Sequence, residues 1–425
     1  MKIDQLHKLF LQCNKVSTDT RKIERDVMFF ALKGDNFNGN TFAKQALESG
    51  AKYVVIDEKE QHTSEATILV DDVLKTLQAL ATYHREYLAI PILALTGSNG
   101  KTTTKELINV VLSKGYNTKA TKGNLNNHIG VPLTLLDMDN STQIGIVEMG
   151  ANHLKEIEFL CNIAKPDYGY ITNFGKAHLE GFGSVEGVIK GKTELYNYLI
   201  ANNKYIFLNA DDDIQIEKLG AHVKKEGFTQ NKNDFYKITL LEANPFVKLQ
   251  FENTTITSNL IGNYNFTNIC AAVIIGKYFN VDCESIKKGI EAYIPENNRS
   301  QIINKGSNKI ILDAYNANPS SMHVALTSFS SLKAAKKIVL LGDMFELGED
   351  AEAEHQIIAD HCLSLDFDRI YLIGENFFKV KSNSDKLNTY KSFEDFKTNF
   401  IVPSQASLLI KGSRGMALER IIELL

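Results

Sequence analysis

Short apolar runs alternating with helical patterns constrain this chain more than any other feature. Tyr53-Val54-Val55-Ile56, Ile92-Leu93-Ala94-Leu95, Ile144-Gly145-Ile146-Val147, Tyr205-Ile206-Phe207-Leu208, Ile310-Ile311-Leu312, Ile338-Val339-Leu340-Leu341 and Ile370-Tyr371-Leu372-Ile373 recur between helical stretches. Runs of this length are what strands buried on both faces look like, so the pattern predicts an α/β chain built on mostly parallel sheets. No short-period repeat or low-complexity tract interrupts it, which argues against solenoids and arrays. Two breaks divide the chain. The helical pattern Leu74, Leu77, Leu80, Ala81 ends near Tyr87 before Pro91, and Pro295-Glu296-Asn297-Asn298 is polar and turn-rich. Three domains are expected, at residues 1–87, 88–298 and 299–425.

With 44% hydrophobic and 23% charged residues, the 425-residue chain can bury several cores. A formal net charge of -4 gives no basic field, so neither nucleic acid nor an anionic membrane is favoured as a partner. Cys13, Cys161, Cys270, Cys283 and Cys362 are widely spaced with no C-x-x-C pair, which speaks against a disulfide framework or zinc cluster. The start, MKIDQLHKLFLQ, lacks the apolar stretch of a signal peptide, and no run approaches the roughly 20 residues that span a bilayer. A cytoplasmic protein is expected.

The strand Ile92 to Leu95 runs directly into Thr96-Gly97-Ser98-Asn99-Gly100-Lys101-Thr102-Thr103-Thr104. Leu107, Ile108, Val111 and Leu112 then mark one face of a helix that Gly115 stops. Strand, glycine loop and helix in that order form the context of a phosphate loop. Gly97 and Gly100 let backbone N–H groups close on phosphate oxygens, Lys101 neutralises the outer phosphates, and Thr102 is placed to ligate magnesium. Ser98, Asn99 and Thr103 complete the expected loop, which by itself implies binding of ATP or GTP. It is two residues shorter than the usual G-x-x-x-x-G-K-[ST].

In that shortened form TGSNGKTT resembles the loop of the Mur ligases and folylpolyglutamate synthetases. Further segments, in order along the chain, are similar to the Mur ligase branch that joins D-alanyl-D-alanine to UDP-N-acetylmuramoyl-tripeptide. They are Ser17 to Arg21, Asn124 to Pro132, Glu148 to Asn152, Asn173 to Phe182, Gly191 to Leu195, Asp313 to Pro319, Gly342 to Gly348 and Lys411 to Arg414. The resemblance implies a small N-terminal α/β domain for the UDP substrate, a central P-loop ATPase-like domain and a C-terminal Rossmann-like α/β domain for the dipeptide.

The resemblance also implies roles for residues whose local patterns are weak. Ser17, Thr18, Asp19, Thr20 and Arg21 would contact the uridine end of the substrate, although Asp19 and Arg21 alone read as a surface ion pair. Asn126 and Asn127, otherwise a polar turn, would lie near the muramoyl peptide. Glu148 and His178 match magnesium-binding residues; without the family, such a distant pair marks no site. The pattern K-x-E-[LI]-[FY] selects Lys192 over Lys190 and implies a carbamylated lysine, whose anionic oxygens suit magnesium better than an ammonium does. Asn265 and Asn268 are matched to the adenine, in a segment with Tyr264 where histidine is common. Arg299 is matched to the phosphates and Asp313 to the ribose. Tyr315, Asn316 and Asn318 are matched to the dipeptide site, and Lys411, Ser413 and Arg414 to the dipeptide carboxylate or the transferred phosphate. Glu346 and His355 receive only a structural reading. Leu154-Lys155-Glu156-Ile157 lacks the glycine that the family often has before Glu-Ile, which leaves the local backbone shape open.

Together these matches imply an enzyme of cytoplasmic peptidoglycan precursor synthesis, using ATP and Mg2+ to activate a carboxylate as an acyl phosphate before an amine attacks it; separately from the matches, a monomer is expected. His178 is also a candidate base. Two alternatives stand beside this reading: another Mur ligase or a folylpolyglutamate synthetase, and a nucleotide-binding regulatory protein without turnover. Tyr315 to Pro319 and Ser17 to Arg21 argue against the first, and Glu148, His178 and Lys192 against the second.

Overall fold

Every apolar run named above forms a strand in the computed structural model, which describes residues 1–425. The strands belong to three α/β units, each with its own main sheet. In the first unit Lys15–Ser17, Val27–Phe30, Tyr53–Ile56 and Thr67–Leu69 pair in parallel. Val27–Phe30 is buried at every position, as a strand covered on both faces must be.

The central sheet runs in the order Thr254–Ile261, Phe246–Phe251, Tyr236–Glu242, Lys225–Thr229, Tyr205–Asn209, Tyr168–Ile171, Ile92–Thr96, Ile144–Glu148, Thr118–Ala120. It is parallel except where Phe246–Phe251 pairs with its two neighbours. Ile92–Thr96 lies between strands reached by later crossovers on either side, and ligands of open α/β sheets bind outside the carboxyl ends of strands at such a switch point. Register places Leu95 beside Glu148 and Thr96 beside Ile171. Glu148 therefore ends its strand next to the glycine loop.

The third sheet runs Gln301–Lys305, Asn308–Asp313, Ser407–Lys411, Lys337–Gly342, Arg369–Ile373, Leu387–Tyr390, and only its first pair is antiparallel. Asp313 and Lys411 are register partners at the carboxyl ends of adjacent strands.

The helix Val73–Leu88 joins the first two units. The Asp72 side chain caps its start by accepting from Lys75 N–H at 2.9 Å, and Ala89, at φ 51°, ends it. It packs on the helix Ile3–Phe10 and also on Gly130–Leu136 and Glu156–Ala164 of the central unit. Two buried histidines reinforce that joint. His84 Nε2 donates to Met138 O at 2.9 Å, so its Nδ1 is the acceptor for His7 Nε2–H, also at 2.9 Å. Arg85 adds a pair with Asp167 at 2.6 Å. No helix is long and apolar enough to cross a membrane, and all the cysteines are free.

Candidate active site

The carboxyl ends of the central and C-terminal sheets border one cavity of about 1130 Å³. On the central side the glycine loop enters the helix Lys101–Leu112 through Gly100, at φ 78°. A Cβ on Gly100 would stand 2.6 Å from Asn268 Oδ1, so both the backbone angle and the close approach require glycine. Asn268 accepts from Thr104 Oγ1–H at 3.0 Å and donates to Asn265 Oδ1 at 2.8 Å. The helix Tyr264–Tyr278, buried along most of its length, thus presses its polar end against the loop.

Neighbouring strand ends hold the loop from its other side. Thr172 Oγ1 donates to Asn99 O at 2.6 Å, while Asn173 accepts from Asn99 N–H at 3.1 Å and donates to Asn99 O at 3.0 Å. Ser98 Oγ bonds both the N–H and the carbonyl of Gly175. Lys101 Nζ donates to Gly97 O at 2.6 Å. Burial pulls the Lys101 pKa below that of an ordinary lysine; Glu148 opposes the shift and Arg299 adds to it.

Glu148 is buried. Its Oε1 accepts from Asn126 Nδ2 at 2.8 Å, but Oε2 is buried without a hydrogen-bond partner. Leaving a buried acceptor unpaired costs roughly 1–3 kcal/mol, and more for a charged oxygen. A cation would relieve that cost. The Glu148 carboxylate and the Thr102 hydroxyl, both on this cavity, are oxygen donors of the kind magnesium takes, its shell completed by phosphate oxygens and water, and His178 lines the same cavity. No group of three His, Cys, Asp or Glu side chains gathers anywhere in the chain, so the protein would supply only part of that shell.

Lys192 lies beneath the cavity in the helix Val185–Ala201, wholly buried, with Nζ donating to Ala151 O at 3.0 Å and standing 5.0 Å over the Phe182 ring. Burial drives its pKa far below that of an ordinary lysine, Lys101 pushes the same way, and Glu156 and Glu194 oppose them. The uncharged amine so favoured is the form that can react with carbon dioxide. His178, at φ 54°, precedes the short helix Leu179–Phe182, and its Nδ1 meets Glu346 Oε2 of the C-terminal unit.

On the C-terminal side the Arg299 guanidinium lies 3.7 Å from the centre of the Tyr315 ring. Asp313 accepts from Lys411 Nζ at 2.6 Å and from Ser300 N–H at 3.2 Å. Asn318 caps the helix Pro319–Ser330, its Oδ1 accepting from Ser321 N–H at 2.9 Å, and its Nδ2 donates across the cavity to Asn99 Oδ1 at 2.8 Å. Lys176 Nζ crosses the same boundary to Glu354 at 2.6 Å.

Most of the residues singled out in the sequence therefore meet. Ser98 to Thr103, Asn126, Asn127, Glu148, His178, Asn265, Asn268, Arg299, Asp313, Tyr315, Asn316, Asn318 and Lys411 line the cavity. Gly97 and Lys192 sit behind its wall. Ser413 and Arg414 do not reach it: the Ser413 hydroxyl is buried and accepts from Phe345 N–H at 2.9 Å, while Arg414 pairs with Glu419 at 2.7 Å. Of the three residues matched to the dipeptide carboxylate or the transferred phosphate, the structure brings only Lys411 to the cavity. Ser17, Thr18, Asp19, Thr20 and Arg21 belong to the first unit and also lie outside the cavity. There Arg21 makes two 2.9 Å hydrogen bonds to Asp19 and holds its carboxyl down at about 2.

Asn173, whose local pattern signals no role, braces the loop from the start of the 173–182 segment. Asn152, Lys155, Glu156, Phe159 and Phe174 also line the cavity and carry no local signal. Lys155, which stands where the family often has glycine, adopts φ 73°, so the turn keeps its glycine-like shape without a glycine.

Three family profiles match the chain: the Mur ligase family catalytic domain over residues 13–86, the Mur ligase middle domain over 95–276 and the Mur ligase glutamate ligase domain over 298–412. The chain is 35% identical over 423 residues to the UDP-N-acetylmuramoyl-tripeptide--D-alanyl-D-alanine ligase of Bacillus subtilis, covering 96% of this chain and 92% of that one. A crystal structure of MurF from Acinetobacter baumannii superposes with a TM-score of 0.87 at 29% identity, over 100% of this chain and 98% of the other. MurF from Thermotoga maritima in complex with ADP gives a TM-score of 0.82 at 26% identity, over 98% and 97%.

Proposed function

The chain belongs to the Mur ligase family, and from that membership we propose its reaction: the ATP-dependent joining of D-alanyl-D-alanine to UDP-N-acetylmuramoyl-tripeptide in peptidoglycan precursor synthesis. The observation that carries this reading is the single cavity in which the phosphate loop, the unpaired Glu148 oxygen and the Asp313–Asn318 turn meet. A nucleotide-binding protein without turnover has no use for that convergence.

In the first step an oxygen of the tripeptide carboxylate attacks the γ-phosphorus of ATP. The bond to the β–γ bridging oxygen breaks, ADP leaves and an acyl phosphate forms. Lys101 and Arg299 place positive charge where the transferred group gathers negative charge. Thr102, Glu148, His178 and Lys192, the last as a carbamate, would hold magnesium, which when bound would offset the charge of the phosphate oxygens. The dipeptide amine then attacks the acyl carbon, and the tetrahedral intermediate expels phosphate while the nitrogen loses a proton. Tyr315, Asn316 and Lys411 form the wall on which the dipeptide lies, and Asp313 orients the Lys411 ammonium. Asn265 and Asn268 border the nucleotide through the loop they brace. Asn126 holds Glu148, with Asn127 beside it toward the muramoyl peptide. Ser17 to Arg21 take the uridine end in the first unit, so the UDP substrate extends from there into the cavity. The C-terminal unit closes the cavity against water, which would hydrolyse the acyl phosphate. The enzyme acts as a monomer in the cytoplasm, on residues 1–87, 88–298 and 299–425 as its three working parts.

Phosphate release by purified protein, measured with ATP, magnesium and both substrates and then with each omitted, tests the reading. Release must depend on all of them. Release indifferent to the dipeptide, or none at all, overturns it.

A further inference from the structure

Glu346 sits at the tip of the loop between the strand Lys337–Gly342 and the helix Ala351–Ser364, and buried groups fix that loop at each residue before it. Asp343 accepts from Asn376 N–H and Phe377 N–H, both at 2.9 Å. Met344 N–H donates to His355 Nε2 at 3.0 Å, and His355 Nδ1 spends its proton on Ala351 O at 2.6 Å. Phe345 N–H donates to Ser413 Oγ. The side chains of Asp343, His355 and Ser413 are all buried. Glu346 is thus aimed rather than free.

It reaches the central unit twice. Its carbonyl accepts from Glu180 N–H at 3.2 Å, and its Oε2 meets His178 Nδ1. Glu346 at φ 61° and His178 at φ 54° both hold the left-handed backbone region that non-glycine residues rarely occupy, a kind of strain that collects at functional sites. Because an ionised carboxylate only accepts, Nδ1 must carry a proton to bond it, and in the neutral ring that leaves the lone pair on Nε2. An imidazole whose far nitrogen is tied to a carboxylate is the usual arrangement for a ring that must present one defined lone pair.

We infer that Glu346 is a positioning residue of the ligase reaction: when the C-terminal unit docks, its carboxylate sets the tautomer and orientation of His178, so that this ring is ready to act only in the closed enzyme. The inference rests on the placement of His178 in the proposed reaction site. Glu346 touches no substrate and acts through the imidazole. The Lys176–Glu354 pair crosses the same boundary without touching that ring, which makes it the control.

The test uses the full-length enzyme. Glu346→Ala lowers kcat at least tenfold while KM for ATP and for the dipeptide stays within threefold, and Glu346→Gln, whose amide oxygen can still accept from Nδ1–H, recovers part of the loss. Glu354→Gln stays within threefold of wild type. In a His178→Ala background, Glu346→Ala has no further effect beyond twofold, since a residue acting through another loses its effect with it. Independently of turnover, nitrogen NMR of histidine-labelled protein shows the His178 ring as the Nδ1–H tautomer in wild type and as the Nε2–H form or a mixture in Glu346→Ala. Additive losses in the double variant, an unchanged tautomer, or an equal loss in Glu354→Gln would overturn the inference. Full activity in His178→Ala would instead remove His178 from the site, and the inference with it.

Discussion

Asn318 reaches Asn99 across the cavity, its Nδ2 donating to Asn99 Oδ1 at 2.8 Å, so one hydrogen bond ties the phosphate loop to the C-terminal unit. The same side chain caps the helix Pro319–Ser330 through Ser321 N–H. Serine can keep the cap but is too short to reach Asn99. Asn318→Ser should therefore leave the melting temperature nearly unchanged while kcat falls about fivefold, the worth of one hydrogen bond near 1 kcal/mol. Asn318→Ala should lose the same activity and about 1 kcal/mol of stability besides. Thermal unfolding run beside steady-state rates separates the two effects.

Lys192→Met keeps the buried volume and removes the nitrogen. Ligase turnover is expected to drop on the order of 100-fold, as for loss of a group that holds a catalytic metal, with stability little changed. Lys192→Ala should regain part of the activity in high bicarbonate. A fully active alanine variant would take Lys192 out of the mechanism.

The buried His7–His84 pair makes the joint between the first two units acid-sensitive. Burial lowers the His7 pKa to about 4, with His84 adding to the shift, and burial lowers the His84 pKa too. Tyr83 and Tyr87 flank the pair, and Asp139 partly offsets the shift at His84. A histidine whose folded pKa is depressed contributes stability that is fully present above its unfolded pKa, about 6.5, and lost as pH falls toward the folded value. Between about pH 6.5 and 4, His7 alone should cost up to roughly 3 kcal/mol. Urea unfolding at pH 7.5 and pH 5 checks this. His7→Phe should flatten the difference, and an equal pH dependence in that variant would assign the effect elsewhere.

Lys155 holds φ 73° at the entry to the helix Glu156–Ala164. Glycine adopts that angle freely, whereas a side chain there costs about 1 kcal/mol. The exposed Lys155–Glu158 pair contributes less than that strain. Lys155→Gly should raise unfolding stability by about 0.5–1 kcal/mol, and a loss measured by denaturant titration would contradict the strain argument.

What the sequence discloses and what it withholds follow from the range of the interactions. The strand, loop and helix from Ile92 to Leu112 are local, and their chemistry can be read in one window. The edge strand Thr254–Ile261 alternates buried and exposed residues, so a search for apolar runs passes over it. Contacts between units leave no local mark. Asn318 and Asn99 are 219 positions apart, and Glu346 and His178 are 168 apart. Ser413 shares a motif with Lys411, yet it turns inward to hold Phe345 once the chain has left the strand end, a contact its place in the motif does not disclose.

The phosphate loop is gripped by Thr172 and Asn173 on one side and abuts Asn268 on the other, so little of it is left to order when a nucleotide arrives. A mould already set spares the ligand the entropy of shaping it, and affinity gained this way needs few extra contacts. Arrival should then be governed by diffusion and charge. How long the nucleotide stays should depend on the C-terminal unit, which makes residence time the quantity through which the far half of the chain acts on ATP.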